Sequence, residues 1–97
     1  MDYNIGLSKE LIEKIKDITK KFENYKFYVF GSRAKGTYKN NSDIDIAIYE
    51  EVSEDDKYKI MNEFDLLDTI YKIDLVFINK TTKKQLLQSI NKNKIIL

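Results

Sequence analysis

The chain has 97 residues, which fits one domain, and its 17 basic and 16 acidic residues nearly cancel to +1. That balance excludes a long acidic or basic tail and argues against nucleic-acid binding through bulk charge. With no Cys and no His, disulfides, thiolate or ordinary zinc sites, Cys nucleophiles and His acid–base chemistry are excluded. Carboxylates, Ser/Thr, Tyr, Lys or a hard oxygen-bound cation are left to carry any chemistry.

Leu11, Ile12, Ile15, Ile18 and Phe22 recur at helical spacing, and Ser8 can cap their start. The spacing predicts an amphipathic helix over Ser8–Phe22, with Leu7 stapled onto Ile12. Lys26–Phe30 is β-branched and aromatic on both faces, so a strand buried on both sides is predicted. Gly31 ends it, and a short helix follows. Lys39-Asn40-Asn41-Ser42 is turn chemistry. Asp43–Tyr49 alternates with period 2, with Ile44, Ile46 and Ile48 on one face and Asp43, Asp45 and Ala47 on the other. Glu50, Glu51 and Val52 lead to a second cap, Ser53. Ile60, Met61, Phe64, Leu67, Ile70 and Tyr71 then fit one helix face, and Met61 and Phe64 are read as core. Ile73–Ile78 is a third strand, with Asp74, Val76 and Ile78 on one face. Thr82 and Gln85 predict a capping box before a last helix carrying Leu86, Leu87 and Ile90. Ile95–Leu97 reads as a final short strand. The result is one α/β (α+β) domain over residues 1–97, a small sheet with helices packed on it.

The segment Gly31–Ile46 concentrates the unusual residues. It holds two of the three Gly and the only Arg, Arg33. A planar cation with several donors is the special property of Arg in a Lys-rich chain. Gly31-Ser32 stands where a strand turns into a helix, and free amides, a small residue and a hydroxyl there form the usual phosphate recipe. A plain turn with Ser32 as the cap has the same sequence. A P-loop is rejected, because Thr37 and Tyr38 follow Gly36 where the loop needs Lys. Asp43 and Asp45, two apart on a strand, lie about 7 Å apart on one face. Their repulsion is about 0.6 kcal/mol in water and about 2–3 kcal/mol at an effective dielectric constant near 20. A bound Mg²⁺ reverses its sign. Asp74 joins them if its strand is a neighbour in the right register, and three carboxylates beside a phosphate turn suit two-metal phosphoryl chemistry. Each feature alone also fits a solvated strand end.

The compound pattern Gly31-Ser32-Arg33-Ala34-Lys35-Gly36, five residues, then Ser42-Asp43-Ile44-Asp45, resembles the nucleotidyltransferase signature of the DNA polymerase β superfamily. The size and element order are similar to those of its minimal nucleotidyltransferases. The resemblance implies a polymerase β-type fold with a small mixed sheet. It implies that Gly31 and Ser32 hold the phosphates of a nucleoside triphosphate, with Arg33 near the phosphates or the acceptor. It implies that Asp43, Asp45 and Asp74 are catalytic and bind two Mg²⁺ ions. Asp74 would also help activate the attacking hydroxyl. Gly36 and Ser42 would shape the loop. Minimal members are often antitoxins paired with a helical HEPN-domain toxin, and some add AMP to a Tyr of that partner. The segment Asn91–Leu97 departs from relatives that end in a Gly-containing turn and an acidic strand.

Three functions follow as expectations. The first is Mg²⁺-dependent transfer of AMP from ATP to a hydroxyl, with a HEPN toxin as partner and acceptor. The second is an antitoxin that neutralises the ribonuclease by binding alone. The third is nucleotide transfer to a small molecule, which the lack of a second domain disfavours. No apolar run approaches the roughly 20 residues of a membrane span, and Met1–Glu10 lacks the basic start and apolar centre of a signal peptide, so a cytoplasmic location is expected. The seven Tyr are read as core edges or surface, and the Lys-rich first helix as a mixed solvated face.

Overall fold

The structure is a computed structural model, and it describes residues 4–49 and 51–97. Glu50, read as part of the link to the second cap, and the first residues of the segment tested for a signal peptide lie outside the described residues.

Eight elements follow in chain order: α1 (Lys9–Lys20), β1 (Lys26–Phe30), α2 (Ser32–Lys35), β2 (Ile44–Tyr49), α3 (Glu54–Asp65), β3 (Ile73–Phe77), α4 (Lys84–Asn93) and β4 (Ile95–Ile96). The sheet order is β3-β2-β1-β4. β1 pairs antiparallel with both β2 and β4, and β2 pairs parallel with β3, so the sheet is mixed. The parallel pair needs a crossover, which α3 supplies.

One sheet face is the core. Phe27 from β1 and Ile44, Ile46 and Ile48 from β2 bury there against Leu11, Ile15 and Ile18 of α1 and Ile60 and Phe64 of α3. The period-2 pattern of β2 places its three Ile on this face. A smaller cluster of Ile5, Ile12 and Val29, with Leu7 packed on it, closes the side of α1, as the staple predicts. An ion pair from Lys21 to Glu63 and a hydrogen bond from the Tyr25 hydroxyl to Asp56 tie the end of α1 to α3. Burial and the Asp56 carboxylate raise the Tyr25 pKa, the hydrogen bond being the larger cause.

The opposite face is only partly covered. α4 lies over its far end, where Ile90 is fully buried. Tyr28 and Phe30 on this face are half-buried, so β1 is not buried on both sides as expected. The reason is coverage: only α4 stands over this face, and it sits toward one end.

Caps explain most element ends. Ser8 Oγ accepts from Leu11 N at 3.1 Å and Ser53 Oγ from Asp56 N at 3.2 Å, so both predicted N-caps form. α1 is shorter than predicted at both ends, because Ser8 caps it from outside and the chain tightens after Lys20 (Lys21 N to Ile18 O, 3.0 Å). α3 also stops early. Thr69 Oγ1 accepts from Tyr71 N at 3.2 Å, a local turn that competes with the helix. Ile70 is therefore 93% exposed rather than core, and Met61 is also exposed. The predicted capping box before α4 does not form. Lys83 is the N-cap without a side-chain bond, and Thr82 Oγ1 instead accepts from Asn79 N at 2.9 Å. β4 forms, and Leu97 N extends its pairing to Phe27 O at 2.9 Å.

Candidate active site

The site lies at one end of the half-covered face, where β1 turns into α2 and the parallel pair begins. Register decides what meets. Asp45 stands opposite Phe30 on one side and opposite Asp74 on the other. Paired residues on adjacent strands share a face, so Asp45 and Asp74 are side by side. Asp43 is exposed just before β2, two residues from Asp45 and on the same side of the alternation.

Gly31 follows Phe30 directly and brings the turn over Asp45. Its φ of 74° is in the region that favours Gly, and an added Cβ would collide with Asp45 Oδ2. Two constraints therefore require Gly here, one from backbone conformation and one from the carboxylate against it. α2 is a single turn. Gly31 is its N-cap without a side-chain cap bond, and Ser32 is its first residue rather than the cap. Lys35 N to Gly31 O (3.0 Å) and Gly36 N to Ser32 O (2.9 Å) close the turn, and Gly36 ends it at φ 85°.

The electrostatics are those of crowded anions. Asp45 has its pKa raised above the usual carboxylate range, first by burial, then by the charges of Asp74 and Asp43. Hydrogen bonding with the Asp74 side chain raises it further, and Lys72 pulls in the other direction. Lys72 Nζ stands 3.6 Å from Asp74 Oδ1.

These donors suit a hard cation. Mg²⁺ takes one or two carboxylates, with substrate phosphate and water oxygens completing its shell. Among the described residues, no three acidic side chains are already gathered as one metal cluster. Asp45 and Asp74 are brought together, and Asp43 acts on Asp45 from the strand mouth. The residues fit Mg²⁺ shared with a phosphate chain better than a closed all-protein cage.

Arg33 departs from expectation. Its side chain is 1% exposed and is turned onto carbonyls of the protein itself. Its guanidinium donates to Ser42 O (2.8 Å from Nη2, 3.2 Å from Nε) and to Ile5 O (2.9 Å from Nη1). The physical reason is its partners: carbonyls from two segments, Ile5–Gly6 and Ser42, take up its planar donors in place of solvent. Lys72, Tyr38 and Tyr71 were missed by sequence reasoning. The signal for the two Tyr was the lone Arg itself, which calls for aromatic faces and carbonyls around it. Lys72 had no signal in a chain so rich in Lys. A separate apolar groove of about 430 Å³ lies between α3 and β3, lined by Met61, Phe64, Leu67, Ile73, Leu75 and Phe77. By alternation those β3 residues face away from Asp74, so the groove is not the acidic site.

Comparison with known proteins agrees with this geometry. The family described as "Polymerase beta, Nucleotidyltransferase" matches residues 13–97. No curated protein sequence matches the chain. Solved structures do. A toxin–antitoxin crystal structure with AMP-PNP is 25% identical at a TM-score of 0.61, over 87% of this chain and 69% of that one. A tyrosine-to-alanine mutant of the toxin–antitoxin MntA-HpeT is 25% identical at a TM-score of 0.62, over 94% of this chain and 72% of that one. An MntA-HpeT mutant with two aspartate-to-glutamate changes shares the fold at 22% identity and a TM-score of 0.60, over 93% and 72%. With the signature residues at the sheet end and the match running over nearly the whole chain, the protein belongs to the polymerase beta nucleotidyltransferase family.

Proposed function

We propose that the chain is a Mg²⁺-dependent nucleotidyltransferase that moves AMP from ATP to a hydroxyl of a partner toxin and so acts as its antitoxin. The observation that carries this reading is Asp45, in register with Asp74 and held against the Gly31 turn. The turn offers the amides and the Ser32 hydroxyl to a triphosphate. Asp43, Asp45 and Asp74 would hold Mg²⁺, which when bound neutralises the phosphates and the carboxylates together. The acceptor oxygen attacks the α-phosphorus in line, the bond to the bridging oxygen breaks, and pyrophosphate leaves. Asp74, on the edge strand, would orient the acceptor hydroxyl and take up its proton at a carboxylate oxygen.

The toxin as partner is supported by the solved relatives, which are toxin–antitoxin structures, one of them with AMP-PNP. A HEPN-type ribonuclease with an acceptor Tyr is the partner we propose. We assign both proteins to the cytoplasm; among the described residues, no helix is long and apolar enough to cross a membrane. The direct test incubates the protein with labelled ATP, Mg²⁺ and the helical product of the neighbouring gene. Label is expected on a partner hydroxyl, and none with Asp43→Ala combined with Asp45→Ala. Unchanged labelling by that double variant would sink the assignment.

One observation keeps a rival in the same test. Asp43 is not gathered with the other two carboxylates into a finished cluster, and neutralisation by docking alone needs no such cluster. Co-expression of the folded double variant with the toxin separates the two. Restored toxicity supports catalysis, and persisting neutralisation supports docking.

A further inference from the structure

Among the described residues, Arg33 is the only charged side chain that is buried. A buried guanidinium is costly unless its donors and its charge are met. Here both are met, by an unusual set of partners. Nη2 and Nε converge on Ser42 O at 2.8 and 3.2 Å, while Nη1 reaches Ile5 O at 2.9 Å and Gly6 O at 3.4 Å. The Tyr71 ring lies 4.7 Å and the Tyr38 ring 5.2 Å from the guanidinium carbon.

Two of these partners, Ser42 and Tyr71, lead into the acidic site. Ser42 is bonded to Asp43. Tyr71 precedes Lys72, whose carbonyl accepts from Ile44 N at 2.9 Å and whose Nζ faces Asp74. Arg33 itself stands on α2, two residues after Gly31. The amino-terminal segment is moulded to the same group: Gly6 has φ 74°, and an added Cβ would strike the Tyr38 ring.

We propose that Arg33 is a positioning residue of the acidic site. One guanidinium fixes the strand mouth that carries Asp43 and the loop that leads to Asp74 against the turn that carries Gly31. Lys cannot substitute, because a single ammonium cannot reach Ser42 O and Ile5 O together and present a flat face to a ring. This inference rests on the reading of Asp43, Asp45 and Asp74 as cation ligands, so its test has one readout that needs the cation and one that does not.

The first readout is Mn²⁺ affinity by paramagnetic resonance, and the second is amide hydrogen exchange by NMR, both well below the melting temperature. Arg33→Lys is expected to weaken Mn²⁺ binding about tenfold or more and to speed exchange at residues 42–45 and 71–74 together. Ile60→Val, a core change remote from the site, should lower the melting temperature and leave both readouts alone. If Arg33→Lys does not fold, Tyr71→Leu against Tyr71→Phe carries the same comparison, since only the first removes the ring. Should Arg33→Lys melt lower yet keep parental Mn²⁺ affinity and parental exchange at both segments, the inference is overturned. If the parent and Asp45→Asn bound Mn²⁺ equally, the ligand reading would fall, and the exchange pattern alone would decide whether Arg33 couples the two segments.

Discussion

The half-covered face of the sheet has two corners with opposite habits. At the far corner, Tyr28 and Tyr49 meet edge to face with ring centres 5.2 Å apart. Lys94 Nζ sits 4.6 Å from each ring and donates to Asn91 Oδ1 at 2.8 Å, while the Tyr49 hydroxyl donates to the same oxygen at 2.9 Å. Cation, rings and amide answer one another within the chain. At the near corner, Asp45 and Asp74 stand side by side with Asp43 acting on Asp45 from the strand mouth, and Lys72 pairs directly only with Asp74. Both corners are built on the same alternation of β1 and β2. The far corner is satisfied from within the chain, whereas the near corner keeps an excess of carboxylates, and that contrast is why the proposed cation and phosphate site is read at the near one.

Removing the anionic corner should have the largest effect. Asp45→Asn is expected to cut nucleotidyl transfer by about 100-fold or more, roughly 2.7 kcal/mol of barrier, measured with labelled ATP and partner. Gly31→Ala should come next. The left-handed backbone and the collision with Asp45 predict about 1–3 kcal/mol of lost stability in denaturant melts, together with loss of transfer. Opening the far corner should separate the two: Lys94→Met is expected to cost about 1 kcal/mol of stability by loosening β4, with transfer unchanged. A fall in transfer comparable to that of Asp45→Asn would show that the corners are not independent.

The smallest effect is a pH dependence of the cation-free protein. Because the folded state raises the Asp45 pKa, it holds that proton more tightly than the unfolded chain does. Stability should therefore fall as pH rises from the ordinary carboxylate range through the raised Asp45 value, and stay lower above it. Asp45→Asn should flatten that part of the profile, and saturating Mg²⁺ should reverse its sign in thermal melts at different pH values.

Much of this corner was legible in the sequence because it is local. Alternation in Asp43–Tyr49 sets the face of Asp45, the Gly31 turn follows a strand that reads clearly, and the Asp74 strand has the same period. Pairing of β2 with β3 was the one long-range assumption, and the register bears it out. What was not legible depended on a distant set of partners in one case and on a competing local bond in the other. Arg33 reads as a phosphate cation until Ile5, Ser42 and Tyr71 are placed around it. The apolar spacing after Phe64 reads as more helix until the hydroxyl of Thr69 is seen to hold a turn. For Arg33 a tertiary demand overrode the local reading, and after Phe64 a competing local hydrogen bond overrode the apolar spacing.

The bond from Arg33 to the Ile5 carbonyl closes a loop of 28 positions. Closure of that length carries an entropic penalty, repaid only once neighbouring contacts exist. During synthesis the strand bearing Asp74 emerges late, long after the glycine turn has left the ribosome. A nascent chain thus displays the turn before Asp74, its acidic counterpart, has been added.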